Sequence, residues 1–119
     1  MIDSLEDNEV FIFGSNIHGF HAGGAAKQAH EQFGAEWGVG EGLTGKTYAF
    51  PTLDANMQKY SVKELESIRD AFYRCVKARP EMKFLLTKVG TGIAGIDEYV
   101  MIELFRDAPE NVIKPKGWE

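Results

Sequence analysis

Two short apolar runs, Val10 to Phe13 and Phe84 to Thr87, each lead into a cluster of glycines, and this repeated succession restricts the folds open to the chain. A continuous apolar run of this length, bounded by turn formers, reads as a strand buried on both faces. Gly14-Ser15-Asn16 is expected to turn the chain after the first run, with Gly19, Gly23 and Gly24 in the loop beyond. The second run, extending as far as Val89, enters Gly90-Thr91-Gly92-Ile93-Ala94-Gly95.

The intervening spacing predicts helices. Ala25, Ala26, Ala29 and Phe33 share one helical face, with Gly34 as the stop. Ser61 and Glu64 stand at capping-box spacing ahead of Leu65, Ile68, Phe72 and Val76, and Pro80 closes that segment. Asp97 is expected to cap a third helix carrying Val100, Met101, Leu104 and Phe105, which Pro109 breaks before a final strand at Val112-Ile113. Lys46 to Phe50 reads as a strand terminated by Pro51, after an irregular loop holding Gly38, Gly40, Gly42 and Gly45.

Strands alternating with helices predict an α/β fold with right-handed crossovers and a mostly parallel sheet covered by helices on its faces. The 119 residues, 44% of them hydrophobic, suffice for one core, so a single domain over residues 1–119 is expected. Ligands of such folds bind beyond the carboxyl ends of the strands, which places both glycine clusters at one edge although they lie far apart in sequence.

Glycine turns between strand and helix let a ligand approach the backbone and aim unpaired N–H groups at an anion. Gly23, Gly24 and Ala25, together with Gly90, Thr91, Gly92, Ile93, Ala94 and Gly95, are therefore expected to bind a phosphate-bearing ligand; the alternative is that these glycines only permit tight turns. Gly14, Ser15 and Asn16 belong to the same expected edge, as does Thr52 after the Lys46 to Phe50 strand. Asp54 reads equally as a site carboxylate or a turn residue. Trp37 and Tyr48 either stack on a base or pin the loop to the body.

His18, His21 and His30 fall within a short region but without a cysteine, so a surface or ligand-facing role is expected rather than a metal site. Gly45-Lys46-Thr47 is not read as a P-loop, and the Gly14 to Gly19 spacing does not match a dinucleotide fingerprint, so no cofactor is expected. A net charge of -5 supplies no positive field for nucleic acid or an anionic membrane, and neither is an expected partner. Cys75 is the single cysteine, which suits a reducing cytoplasm. No apolar stretch approaches the roughly 18 to 20 residues that span a bilayer, and the acidic start is unlike a signal peptide.

These residues carry a resemblance. Val10-Phe-Ile-Phe-Gly-Ser-Asn16, Gly23-Gly24-Ala-Ala, Tyr48-Ala-Phe-Pro-Thr52 and Val89-Gly-Thr-Gly-Ile-Ala-Gly95 resemble a compact macrodomain, and the stretch from Val10 to Trp118 is similar to small macrodomain-like proteins of bacteria and phages. The resemblance implies a three-layer α/β/α sandwich that binds ADP-ribose or a related nucleotide diphosphate as its small-molecule partner. It further implies that Asn16 approaches the distal ribose and that Gly90 to Gly95 wrap the diphosphate. The chain lacks the family's Asn-Ala-Ala-Asn run and the aspartate that reads adenine. Two alternatives stay open: a hydrolase of ADP-ribosyl or N-glycosidic bonds, with Asn16, His21 or Asp54 orienting water, and a nucleotide-binding α/β protein of phosphoribohydrolase-like type.

Overall fold

The computed structural model describes residues 2–119 as an α/β fold with a mixed, mostly parallel sheet of five strands and three helices. In chain order the elements are β1 (Glu9–Asn16), α1 (Gly24–Gln32), β2 (Gly42–Thr44), β3 (Thr47–Leu53), α2 (Val62–Lys77), β4 (Lys83–Leu86), α3 (Glu98–Leu104) and β5 (Val112–Ile113). The sheet order is β2-β3-β1-β4-β5. Only the β2–β3 pair is antiparallel.

Alternation along the strands sorts the core into two clusters. Phe11 and Phe13 of β1 and Ala49 of β3 pack with Ala26, Ala29 and Phe33 around α1. Val10 and Ile12, with Tyr48, Phe50, Phe84 and Leu86, pack with Leu65, Phe72 and Val76 of α2 and Met101 and Leu104 of α3. Small alanines bring α1 close to the sheet, whereas large aromatics fill the other cluster. Phe72 sits among Tyr48, Phe50, Phe84 and Phe105, with ring centroids 4.8, 6.0, 6.0 and 6.3 Å away.

The expected caps are present. Ser61 Oγ accepts from the Glu64 N–H while the Ser61 N–H donates to Glu64 Oε1, and the Asp97 carboxylate accepts from the Tyr99 N–H. Gly34, at φ +84°, ends α1 in a conformation that disfavours other residues.

Three expectations are corrected. Gly14-Ser15-Asn16 does not turn the chain: β1 continues through it, paired with β3 and broken only by a register shift between Ser15 and Asn16. The glycine-rich stretch is not wholly irregular, because Gly42–Thr44 forms β2. Pro51 does not end β3. The Phe11 N–H donates to the Lys46 carbonyl, so Lys46, Tyr48 and Phe50 turn their backbone to β1 while Thr47, Ala49 and Pro51 turn it away; the register shift then reverses the alternation, and the Leu53 carbonyl accepts from the Ile17 N–H. β2 pairs no further than Ala49, so the missing N–H of Pro51 interrupts no ladder.

Among the described residues no helix is long and apolar enough to cross a membrane. Phe72→Ala should cost about 3–5 kcal/mol by leaving a cavity among four aromatic rings. Urea denaturation measures this directly, and a loss below about 1 kcal/mol would show that the neighbouring rings collapse into the gap.

Candidate functional site

A cleft of about 500 Å³ opens at the carboxyl ends of β1 and β3. Gly14, Ser15 and Asn16 line it from β1, Gly23, Gly24 and Ala25 from the start of α1, and Thr52 from β3. The loop after β4 contributes Gly90, Thr91, Gly92, Ile93 and Ala94. Two segments separated by most of the chain thus share one cavity. Gly95 is outside the lining, and its N–H closes the turn by donating to the Gly92 carbonyl.

Gly14 makes this convergence possible. A Cβ at that position would stand 3.3 Å from the Gly90 nitrogen and 3.5 Å from the Val89 Cα, so the bare backbone of β1 is what lets the second loop lie across it.

The cleft's polar character comes from its backbone. α1 follows its N-cap Gly23 with no side-chain cap and no acidic residue in its first turn. Among the described residues, the N–H groups of Gly24, Ala25 and Ala26 have no hydrogen-bond partner, nor do those of Gly92, Ile93 and Ala94. The two glycine clusters nevertheless differ. The positive end of α1 opens on the cleft, whereas α3 is capped by its own Asp97.

Side-chain donors around the cavity are committed elsewhere. Ser15 Oγ donates to the Gly40 carbonyl, Thr52 Oγ1 to that of Ser15, Thr87 Oγ1 to that of Ile12 and Thr91 Oγ1 to that of Lys88. Asn16 holds both backbone groups of Phe20, its Nδ2 donating to the carbonyl at 2.9 Å and its Oδ1 accepting from the N–H at 3.1 Å.

Among the described lining residues only Lys88 is charged. Its Nζ lies 3.2 Å from Glu98 Oε2, which also accepts from the Trp118 indole at 2.8 Å. The indole and then the ammonium hold the Glu98 carboxyl below its ordinary pKa.

His21 and Asp54 are not brought to the cavity wall. The His21 ring is only 1% exposed and packs edge-on against Phe13 and Trp37. Its Nε2 is 2.9 Å from the Glu36 carbonyl and therefore carries the proton, leaving Nδ1 buried without a partner. His18 and His30 are likewise tied to the Ala55 and Ala35 carbonyls. Asp54 accepts from the N–H groups of Asn56 and Gln58, the behaviour of a turn residue. Tyr48 is core; Trp37 is half exposed and stacks on Phe20.

The lining also includes Phe20, Met57 and Lys88, which the sequence reading did not select. Lys88 immediately precedes Val89-Gly90, and Phe20 lies inside the histidine-bearing loop, so adjacency could have found both. Nothing local marks Met57.

The run Gly40-Glu-Gly-Leu-Thr-Gly-Lys-Thr47 does carry P-loop spacing, which the sequence reading overlooked. Its geometry is nonetheless wrong for phosphate. The Gly45-Lys46 turn joins β2 to β3 in an antiparallel hairpin where a P-loop joins a strand to a helix, and Lys46 Nζ is bound to the Glu6 carbonyl at 2.8 Å.

Burial holds the His21 imidazole below its ordinary value of 6.5, outweighing the opposing hydrogen bond to Glu36. Because the unfolded chain binds the proton more readily, the stability His21 confers is complete above about pH 6.5 and is lost as pH falls towards its depressed folded pKa. His21→Gln should therefore show a flatter decline in urea midpoint between about pH 7.5 and 5.5 than the wild type. Parallel declines would assign the titration to another group.

Comparison with family models, curated proteins and solved structures finds no match to this chain.

Proposed function

We propose that the cleft binds ADP-ribose or a related nucleotide diphosphate, and that the fold is a macrodomain-like three-layer α/β/α sandwich. The observation that carries this reading is the pair of unpartnered amide groups, at Gly24 to Ala26 and at Gly92 to Ala94, brought to one cavity from distant segments. Such N–H groups suit a multiply charged oxyanion, and the α1 dipole adds to the attraction. Charge supports it as well: although the chain carries -5 overall, the described lining includes Lys88 and no carboxylate. The volume of about 500 Å³ suits a small molecule.

The geometry favours binding over hydrolysis. A hydrolase of ADP-ribosyl or N-glycosidic bonds, whether macrodomain-like or phosphoribohydrolase-like, draws on a group able to move a proton at the reacting bond. His21 is buried behind the lining, and the Asp54 carboxylate is occupied by its own turn. Asn16 orients Phe20 and cannot serve as a base.

ADP-ribose at about 100 times its dissociation constant should add roughly 2.7 kcal/mol, a rise of several degrees in Tm, and AMP at equal concentration should add less. Equal shifts would exclude a site for two phosphates. Gly92→Glu is the matching variant: an added Cβ meets nothing within 4 Å and the backbone is not left-handed, so the protein should fold while the introduced carboxylate abolishes the shift. A folded variant that still responds would place the phosphate elsewhere.

A further inference from the structure

Three large apolar residues stand around the cleft in contact with solvent: Phe20 is 50% exposed, Met57 49% and Ile93 87%. They come from three separate segments, and each segment is pinned. Asn16 clamps both backbone groups of Phe20. The Met57 N–H donates to the Asp54 carbonyl, within the turn that the Asp54 carboxylate closes through Asn56 and Gln58. Ile93 rides on the turn closed between Gly92 and Gly95. Apolar surface gathered at one cavity gains free energy when a flat apolar group covers it.

Reading the edge of a base requires positioned donors and acceptors, and the unpartnered amides of this cleft are taken up by the phosphates in the reading above. Here the hydroxyl protons of Ser15, Thr52, Thr87 and Thr91 are spent on backbone carbonyls, and no carboxylate is found among the described lining residues. The cleft thus combines amides for an anion with an apolar rim that lacks a side-chain code.

We infer that Phe20, Met57 and Ile93 grip the base of a nucleoside diphosphate by apolar contact, so that the site selects for charge and ring area and does not distinguish bases of equal size. This inference rests on the nucleotide-binding reading above.

Calorimetric titration of ADP, GDP, CDP, UDP and inorganic pyrophosphate tests it on the wild type and on Ile93→Ser and Met57→Gly. Neither variant threatens the fold: Ile93 is solvent-exposed, and Met57 has φ +58°, which glycine adopts at lower cost. ADP and GDP should agree within about threefold, as should CDP and UDP, with the purines tighter and pyrophosphate at least about tenfold weaker than ADP. Each variant should weaken the four nucleotides by about three- to tenfold, and Met57→Gly, which lies outside both amide segments, should leave pyrophosphate unchanged. A preference of about tenfold or more within either pair, or unaltered nucleotide affinity in both variants, overturns the apolar grip while pyrophosphate binding keeps the phosphate site standing. Failure of nucleotides and pyrophosphate alike to bind removes both readings.

Discussion

Parallel pairing of β1 with both β3 and β4 is the constraint on which the rest of the structure depends. A strand flanked on both sides has its ladder hydrogen bonds satisfied by neighbours, and its alternate side chains must be covered on both faces. Phe11 and Phe13 draw α1 to one face, while Val10 and Ile12 draw α2 and α3 to the other. The position of α1 on β1 determines where its uncapped first turn points. β4 pairs with β1 only as far as Ile12, so the chain leaving β4 is free to fold over the remainder of β1. There the missing side chain of Gly14 admits the Val89-Gly90 backbone, and the cleft is the space left between that loop and α1.

Within the cleft, side chains and backbone have different tasks. Ser15, Thr52, Thr87 and Thr91 spend their protons joining adjacent strands and loops, and Asn16 fastens the turn that carries Phe20. These internal bonds hold the walls in place but remove the groups that would ordinarily read a ligand. Unpaired main-chain N–H groups remain, whose direction is set by helix and turn geometry and survives many changes of side chain. Lys88 is the one cation among the described lining residues, held by a carboxylate that is itself fastened to Trp118.

Much of the fold was legible because its signals are local. The capping box at Ser61, the apolar spacing of Leu65, Phe72 and Val76, and the stop at Gly34 depend on residues within a few positions of one another. That the two glycine clusters share one cleft was legible because strand polarity alone puts both at the same sheet edge. Misreadings occurred where partners lie far away. Gly14-Ser15-Asn16 looks like a turn until β3 is known to run beside it, and Pro51 looks like a terminator until β2 is known to stop short. The Gly40 to Thr47 spacing is a more pointed case, since a phosphate-loop pattern in sequence becomes a hairpin turn in space.

By itself the sequence determined the order and type of the elements other than β2, the apolar faces they bury and the common edge of the glycine turns, all of which follow from backbone propensity and periodicity. The tertiary structure alone decided which candidates reach the cavity. His21 and Asp54 are near the site in sequence yet serve as a buried staple and a turn lock, while Met57, with no local signal, reaches the wall. The physical reason is that a side chain's role depends on its hydrogen-bond partners and burial, and these are supplied by Glu36 for His21 and by a turn beyond β3 for Met57, contacts that exist only after the sheet has closed.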